Sequence, residues 1–135
     1  SMEPVVTPSA HAAALWVGLH LIFLLVLSAL VVRQRQKHRV LIGDQGVPEL
    51  LRARRAFGNA TEYVPAGMGA LVMLAVVGAP APVVHGVGLV LFLGRLAHGW
   101  GISTSAGSSP GRSAGTVLTW LAFLFAGALL LFYAI

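Results

Sequence analysis

Apolar residues fill four long stretches of the chain, at about residues 10–32, 60–79, 83–99 and 114–135. A helix that crosses a bilayer needs roughly 20 apolar residues. The first and last stretches reach that length unaided, whereas the middle two reach it only by including polar residues at their ends. The pattern predicts an all-α membrane protein, with one domain over residues 1–135 built as a four-transmembrane-helix bundle.

Polar residues mark where these helices begin and end. The basic residues of 33–39 suit the C-terminus of the first helix, whose dipole favours cations there. Residues 43–46 are typical of a turn, and Pro48 suits the first turn of the second helix. Pro65 lies inside that helix and predicts a kink beside the polar residues before it. The Gly-rich and Ser-rich residues of 103–113 predict a flexible loop.

The first stretch has no basic segment before it and is too long for the apolar part of a signal peptide, so we expect it to be retained as a helix. The last stretch is nearly featureless, and we expect it only to cover the bundle. Gly107, Gly111 and Gly115 are four residues apart, but such spacing is expected by chance in a chain with 16 glycines.

The basic residues occur in two places, from Arg33 to Arg55 and at Arg95 and Arg112, and they make the net charge +5. In a chain with four spans, these two connections lie on the same side of the membrane. The positive-inside rule then puts that side in the cytoplasm and both termini in the periplasm. Since topology accounts for the basic charge, we expect no nucleic-acid partner.

The chain contains no cysteine, which excludes disulfides, cysteine ligands to a metal and cysteine nucleophiles. Any thiol chemistry must therefore use a thiol that arrives with the ligand. We predict no metal site.

Arg55, Asn59 and Glu62 are spaced i, i+4, i+7 at the entry to the second span, so they share one face of a helix. Ionisable groups at such a place are costly to bury and are candidates for function. Two interpretations are open at this point. The stripe is either an ion-paired helix end that joins two helices or a surface that binds a polar ligand.

Other polar side chains are expected at the same end of the bundle: Arg33 or Arg35, Tyr63, Arg95, His98 and Arg112. Arginines bind carboxylates, and Glu62 can accept hydrogen bonds from an ammonium group. Glutathione, with two carboxylates and one amine, matches this set. Its thiol, with a pKa of about 8.5 when unperturbed, needs a nearby cation to become a thiolate. Arg112, at a helix N-terminus, suits that role.

The run Arg55-Ala-x-x-Asn59-x-x-Glu62-Tyr63-x-Pro65 resembles the MAPEG family, membrane-associated proteins in eicosanoid and glutathione metabolism. The four spans, the basic first loop and Arg95-x-x-His98 extend this resemblance over most of the chain. The chain looks most like the bacterial members, which implies a multi-pass protein of the inner (cytoplasmic) membrane. It also implies a homotrimer with glutathione bound as co-substrate between neighbouring protomers.

The resemblance also implies roles for individual residues. Arg112 would stabilise the thiolate. Arg95 and His98 would reach the ligand from the third helix of the adjacent protomer. The other implied contacts to glutathione come from the end of the first helix and the start of the second span: Arg35 (or Arg33), Arg55, Asn59, Glu62 and Tyr63.

The activity implied by the resemblance is that of a glutathione-dependent transferase or peroxidase. It would act on lipophilic electrophiles or hydroperoxides that arrive from the bilayer, and membrane lipid would surround it. Enzymes of the family carry tyrosines where this chain has His98 and Ile102, so a non-catalytic protein that binds lipid or glutathione is the alternative. A small efflux transporter is disfavoured, because the first span has no carboxylate.

Overall fold

Four long helices make up the computed structural model, which describes residues 5–105 and 107–135. They are α1 (Pro8–His38), α2 (Pro48–Val76), α3 (Ala81–Thr104) and α4 (Pro110–Ala134). The predicted all-α bundle is confirmed. Of the described helices, α1, α3 and α4 are long and apolar enough to cross a membrane. The fourth, α2, falls short because Asn59 and Glu62 occupy the first part of its apolar stretch.

The helix ends agree with most of the local signals. α1 ends at His38, and Arg39 closes it in the left-handed conformation, with φ at 55°. The turn at 43–46 is confirmed, since Asp44 Oδ1 accepts a hydrogen bond from the Gly46 N–H at 2.8 Å. α2 begins at Pro48 as predicted and continues through Pro65. The interior proline therefore does not divide α2 into two helices.

The predicted loop at 103–113 is wrong in its extent. α3 continues to Thr104 and α4 begins at Pro110, so helix enters the segment from both sides. Ser109 is the N-cap of α4, and its Oγ accepts a hydrogen bond from the Arg112 N–H at 3.2 Å. A serine followed by proline is a strong signal for a helix start, and here it outweighs the polar composition of the segment.

The bundle is held together through its two middle helices. α2 packs against α1, α3 and α4, and α3 likewise packs against the other three, whereas no Cα atoms of α1 and α4 come within 8 Å of each other among the described residues. The C-termini of α1 and α3 and the N-termini of α2 and α4 lie at one end of this bundle, which we call the basic end. Arg35, Arg55 and Arg112 are all at the basic end.

Glycines let α3 and α4 approach closely. A Cβ added to Gly115 would lie 2.5 Å from the Gly94 carbonyl oxygen and 2.5 Å from the His98 nitrogen, and one on Gly101 would lie 2.5 Å from the Arg112 nitrogen. A Cβ added to Gly111 would lie 3.0 Å from the Ala97 carbonyl oxygen. The four-residue spacing of Gly111 and Gly115 is therefore structural, as in small-residue contacts between membrane helices, and not a matter of chance.

Replacing Gly115 with alanine tests this close approach. We expect Gly115→Ala to lower the free energy of unfolding by about 1–3 kcal/mol, because backbone atoms of α3 must move away from the new methyl group. Gly127→Ala on the same helix is the matched control, since a Cβ there meets nothing within 4 Å. Thermal unfolding in detergent measures both variants, and equal midpoints would contradict the proposed contact.

Candidate functional site

The polar stripe of α2 faces a cavity at the basic end. Arg55 and Glu62 are exposed and Asn59 is partly buried. All three line one cavity of about 380 Å³, together with Leu51, Arg54 and Gly58. The expectation that they share one helix face is therefore confirmed. None of the three makes an ion pair within 4.0 Å to a described residue, so the stripe is not an ion-paired helix end within one chain.

Arg95 lies at the centre of the polar region and is only 1% exposed. Its Nη2 donates a hydrogen bond to Asn59 Oδ1, and its Nη1 donates one to Thr119 Oγ1 at 3.3 Å. Its Cζ lies 5.3 Å from the centre of the Tyr63 ring, which is a cation–π contact. Arg95 thus joins α2, α3 and α4. Its Nε has no hydrogen-bond partner among the described residues.

Within its own chain, Arg95 contacts Asn59 and Tyr63. These contacts form because α2 and α3 pack directly against each other in the bundle. The fully buried guanidinium therefore positions Asn59 and Tyr63 and is itself remote from solvent. Binding of a ligand by Arg95 and His98 from an adjacent protomer stays a prediction.

Tyr63 lies between Arg95 and α4. Its ring meets the Phe123 ring edge-on, with centroids 5.9 Å apart, and its hydroxyl oxygen accepts a long 3.5 Å hydrogen bond from Trp120 Nε1. The Tyr63 side chain is half-buried. These contacts hold the ring between α3 and α4.

His98 lies one turn after Arg95 on α3 and is 4% exposed. It lines a second cavity, of about 500 Å³, with Asn59, Arg112 and Thr116 among the other wall residues. Its Nδ1 is buried and has no hydrogen-bond partner among the residues that the structure describes. Of the two positions where family enzymes carry tyrosine, His98 reaches this cavity, and Ile102 is buried in an apolar cluster with Leu27 and Ala60.

Arg112 lies in the first turn of α4, between two of the cavities at the basic end. It lines the second cavity and also a third, of about 340 Å³, which includes Arg55 and Ile102. Its Nη1 donates a hydrogen bond to the Gly107 carbonyl oxygen at 2.9 Å. Asn59 borders the first and second cavities, and Arg55 borders the first and third. Five of the predicted residues therefore surround adjoining spaces: Arg55, Asn59, Glu62, His98 and Arg112.

Arg35 is placed differently. Its Nη1 donates hydrogen bonds to the carbonyl oxygens of Gly43, at 2.9 Å, and Val40, at 3.3 Å. These bonds tie the end of α1 to the loop that precedes α2. Arg33 is exposed on the same helix end. Ligand binding by either arginine stays a prediction.

Sequence reasoning missed Thr119. This residue of α4 is fully buried, donates a hydrogen bond to the Gly115 carbonyl oxygen at 2.7 Å and accepts one from Arg95. The expectation that the last span only covers the bundle is therefore wrong. The signal was present in the spacing, because Gly111, Gly115 and Thr119 recur every four residues on one face.

The fold and the site define a class of protein: a four-helix membrane bundle whose basic end holds a buried arginine and adjoining polar cavities. The sequence matches the MAPEG family over residues 13–132. It is 38% identical to the inner membrane protein YecN of Escherichia coli strain K12 over 112 residues, which are 83% of this chain and 84% of that relative. YecN of Escherichia coli O6:H1 matches to the same extent. The chain belongs to the MAPEG family.

The bond between Arg95 and Asn59 yields a prediction about stability. Asn59→Ala leaves the buried guanidinium with one acceptor fewer, so we expect it to lower the free energy of unfolding by about 1.5–3 kcal/mol. Asn59→Asp keeps an acceptor of the same shape and should retain the stability of the native chain. Thr61→Ala is the control, because the Thr61 hydroxyl bonds only within its own helix, to Gly58. If Asn59→Ala unfolds like this control, the bond does not stabilise the bundle.

Proposed function

We propose that this protein binds glutathione at the basic end and uses its thiolate against lipophilic electrophiles or hydroperoxides. One observation carries the proposal: three adjoining cavities share walls made by Arg55, Asn59 and Arg112. Their volumes, about 340 to 500 Å³, fall in the range of small-molecule sites. Membership of the MAPEG family supports the same class of ligand.

The charges around these cavities match glutathione. Arg55 and Arg112 carry the positive charge that two carboxylates and a thiolate require. Glu62 is exposed at the edge of the first cavity and is the acceptor for the ligand's ammonium group. Asn59 borders two of the cavities and is held by Arg95, so its position is set by the core. The ligand is thus bound by side chains of α2 and α4.

Arg112 is the residue that we assign to the thiolate. It stands at the N-terminus of α4, where the helix dipole adds positive potential. Val117 lines the same cavity and is 54% exposed, so an apolar substrate can approach from the bilayer side of α4. The thiolate then forms a bond to the electrophilic atom of that substrate, and the leaving group departs with the electron pair of the bond that breaks. With a hydroperoxide, the thiolate attacks the terminal oxygen, the O–O bond breaks and the alcohol leaves after it takes up a proton. The resulting sulfenic acid of glutathione reacts with a second glutathione thiol to give the disulfide and water.

The site is proposed to face the cytoplasm, with both termini in the periplasm, because the basic loops lie at the same end as the cavities. We also propose a homotrimer, in which the exposed Arg55 and Glu62 face the neighbouring protomer's surface. Light scattering of the detergent-solubilised protein, corrected for bound detergent, measures the assembly.

A protein that binds glutathione or lipid without turnover is the second candidate. The observation that favours it is the buried isoleucine at position 102, which has no hydroxyl to offer a thiolate and is packed against apolar residues. The two candidates differ in thiolate formation, which is measurable directly.

Titration of glutathione into the purified protein, followed by ultraviolet absorbance of the thiolate at neutral pH, tests the proposal. We expect a saturable thiolate signal. Binding of glutathione seen by calorimetry without a thiolate signal would support the non-catalytic candidate. No binding at all would overturn glutathione as the ligand in both candidates.

Glu62→Gln is predicted to weaken glutathione binding by about tenfold or more, because a hydrogen bond to a charged group is worth about 1.5–3 kcal/mol. Glu49→Gln makes the same chemical change on another face of α2 and should leave glutathione affinity unchanged. Calorimetry gives the affinities. If the oligomer of the Glu62→Gln protein disassembles without a specific loss of glutathione affinity, Glu62 stabilises the assembly and does not bind the ligand.

Arg112→Ala is predicted to remove the thiolate signal and to lower kcat by about 10²–10³, the usual cost of losing one electrostatic stabiliser of a developing anion. Binding of glutathione should be largely kept, because Arg55 and Glu62 remain. Arg39→Ala, at an exposed arginine of the loop after α1, is the control. Turnover and thiolate absorbance that survive Arg112→Ala would assign the thiolate to another residue.

A further inference from the structure

A separate small cavity lies at the basic end between α1, α2 and the end of α3. Its volume is about 190 Å³. The residues of α2 that line it are Glu49, Arg52, Ala53 and Ala56, whereas the polar stripe consists of Arg55, Asn59 and Glu62. The two sets lie on different faces of α2, although Arg52 also borders the third cavity of the proposed glutathione site.

Glu49 and Arg52 bring opposite charges to this cavity without neutralising each other. They are spaced i, i+3, which ordinarily favours an ion pair on a helix. Here no ion pair within 4.0 Å joins them, and Arg52 has none with any described residue. Glu49 Oε2 lies 4.0 Å from His38 Nε2. The cavity thus presents a carboxylate and a guanidinium that are each available to a ligand.

Two further polar residues complete the wall. Gln34 of α1 lines the cavity, and its Oε1 is buried without a hydrogen-bond partner among the described residues. Such an orphan acceptor is costly unless a donor reaches it. Ser103, near the end of α3, adds a hydroxyl. The cavity therefore combines two acceptors, Gln34 and Glu49, with two donors, Arg52 and Ser103.

The size and depth of the cavity limit the ligand. The cavity's volume of about 190 Å³ is half that of the first cavity, at about 380 Å³, so it suits a smaller ligand than the proposed glutathione site does. Leu27 and Leu30 form its apolar floor on the side of the span. Arg33 and Lys37 lie one to two turns further along α1, where cations meet the lipid headgroup layer.

We propose that this cavity binds the phosphoethanolamine headgroup of a phospholipid from the leaflet at the basic end. The primary ammonium donates hydrogen bonds to Glu49 and Gln34. The phosphate accepts from Arg52 and Ser103, and the acyl chains leave over Leu27 and Leu30. A zwitterion suits this wall because each of its charges meets an opposite one.

Native mass spectrometry of the delipidated, detergent-purified protein tests the proposal. Phosphatidylethanolamine, phosphatidylcholine and phosphatidylglycerol with identical acyl chains are added at equal concentrations. We expect about tenfold preference for phosphatidylethanolamine, since the quaternary ammonium of phosphatidylcholine cannot donate a hydrogen bond and phosphatidylglycerol has no cation. Equal retention of the three lipids would overturn the proposal.

Variants locate the site. Glu49→Gln removes the charge and Ala53→Leu fills the cavity, so each variant should abolish the preference for phosphatidylethanolamine. Lys37→Gln and Ala29→Leu, at exposed positions of α1, should keep it. A preference that survives both cavity variants would place the lipid elsewhere. Because Glu49→Gln removes the charge but keeps the shape of the side chain, the variant should bind glutathione normally. Loss of lipid preference with intact glutathione binding therefore separates this site from the proposed active site.

Soluble phosphoethanolamine distinguishes a lipid from a free metabolite. If the soluble compound displaces phosphatidylethanolamine, the headgroup itself is recognised and the proposal is supported. If the soluble compound binds but the lipid does not, the cavity is a site for a soluble zwitterion and the lipid assignment is wrong.

Discussion

The burial of one guanidinium organises the basic end of this bundle. A charged group that leaves water costs several kcal/mol unless hydrogen bonds compensate it. Arg95 is 1% exposed, and its compensation comes from Asn59 on α2, Thr119 on α4 and the face of the Tyr63 ring. Because these partners belong to two different helices, the bundle must bring α2 and α4 to fixed positions around α3. The motif residues of α2 are placed by that requirement.

The glycine contact between α3 and α4 makes this compensation possible. Thr119 reaches Arg95 only because Gly94 and Gly115 let the two backbones meet without intervening side chains. In a membrane, such close approach replaces the hydrophobic effect as the source of helix association. The same contact lies beside His98 and the first turn of α4, and so it also sets the distance between His98 and Arg112 across their shared cavity.

α2 carries polar residues on two faces, and it is the one described helix that falls short of a typical span, because Asn59 and Glu62 occupy the first part of its apolar stretch. One face gives Arg55, Asn59 and Glu62 to the proposed glutathione site, and another gives Glu49 and Arg52 to the small cavity beside α1. Arg52 also borders the third of the larger cavities, so the two proposed sites are neighbours.

Local patterns in the sequence determined the four helices, the basic end and the shared face of Arg55, Asn59 and Glu62, since these depend on hydrophobic length and helical periodicity alone. The Ser109–Pro110 helix start was also readable, although the surrounding polar composition predicted a loop. Only the tertiary structure decided that Arg95 bonds to Asn59 of its own chain, that Thr119 is its second hydrogen-bond partner, and that Gln34, Glu49 and Ser103 meet at one cavity. Each of these contacts joins residues of different helices, so their meeting depends on how the helices pack. For Thr119 and Arg95, that packing depends on the close approach at Gly94 and Gly115.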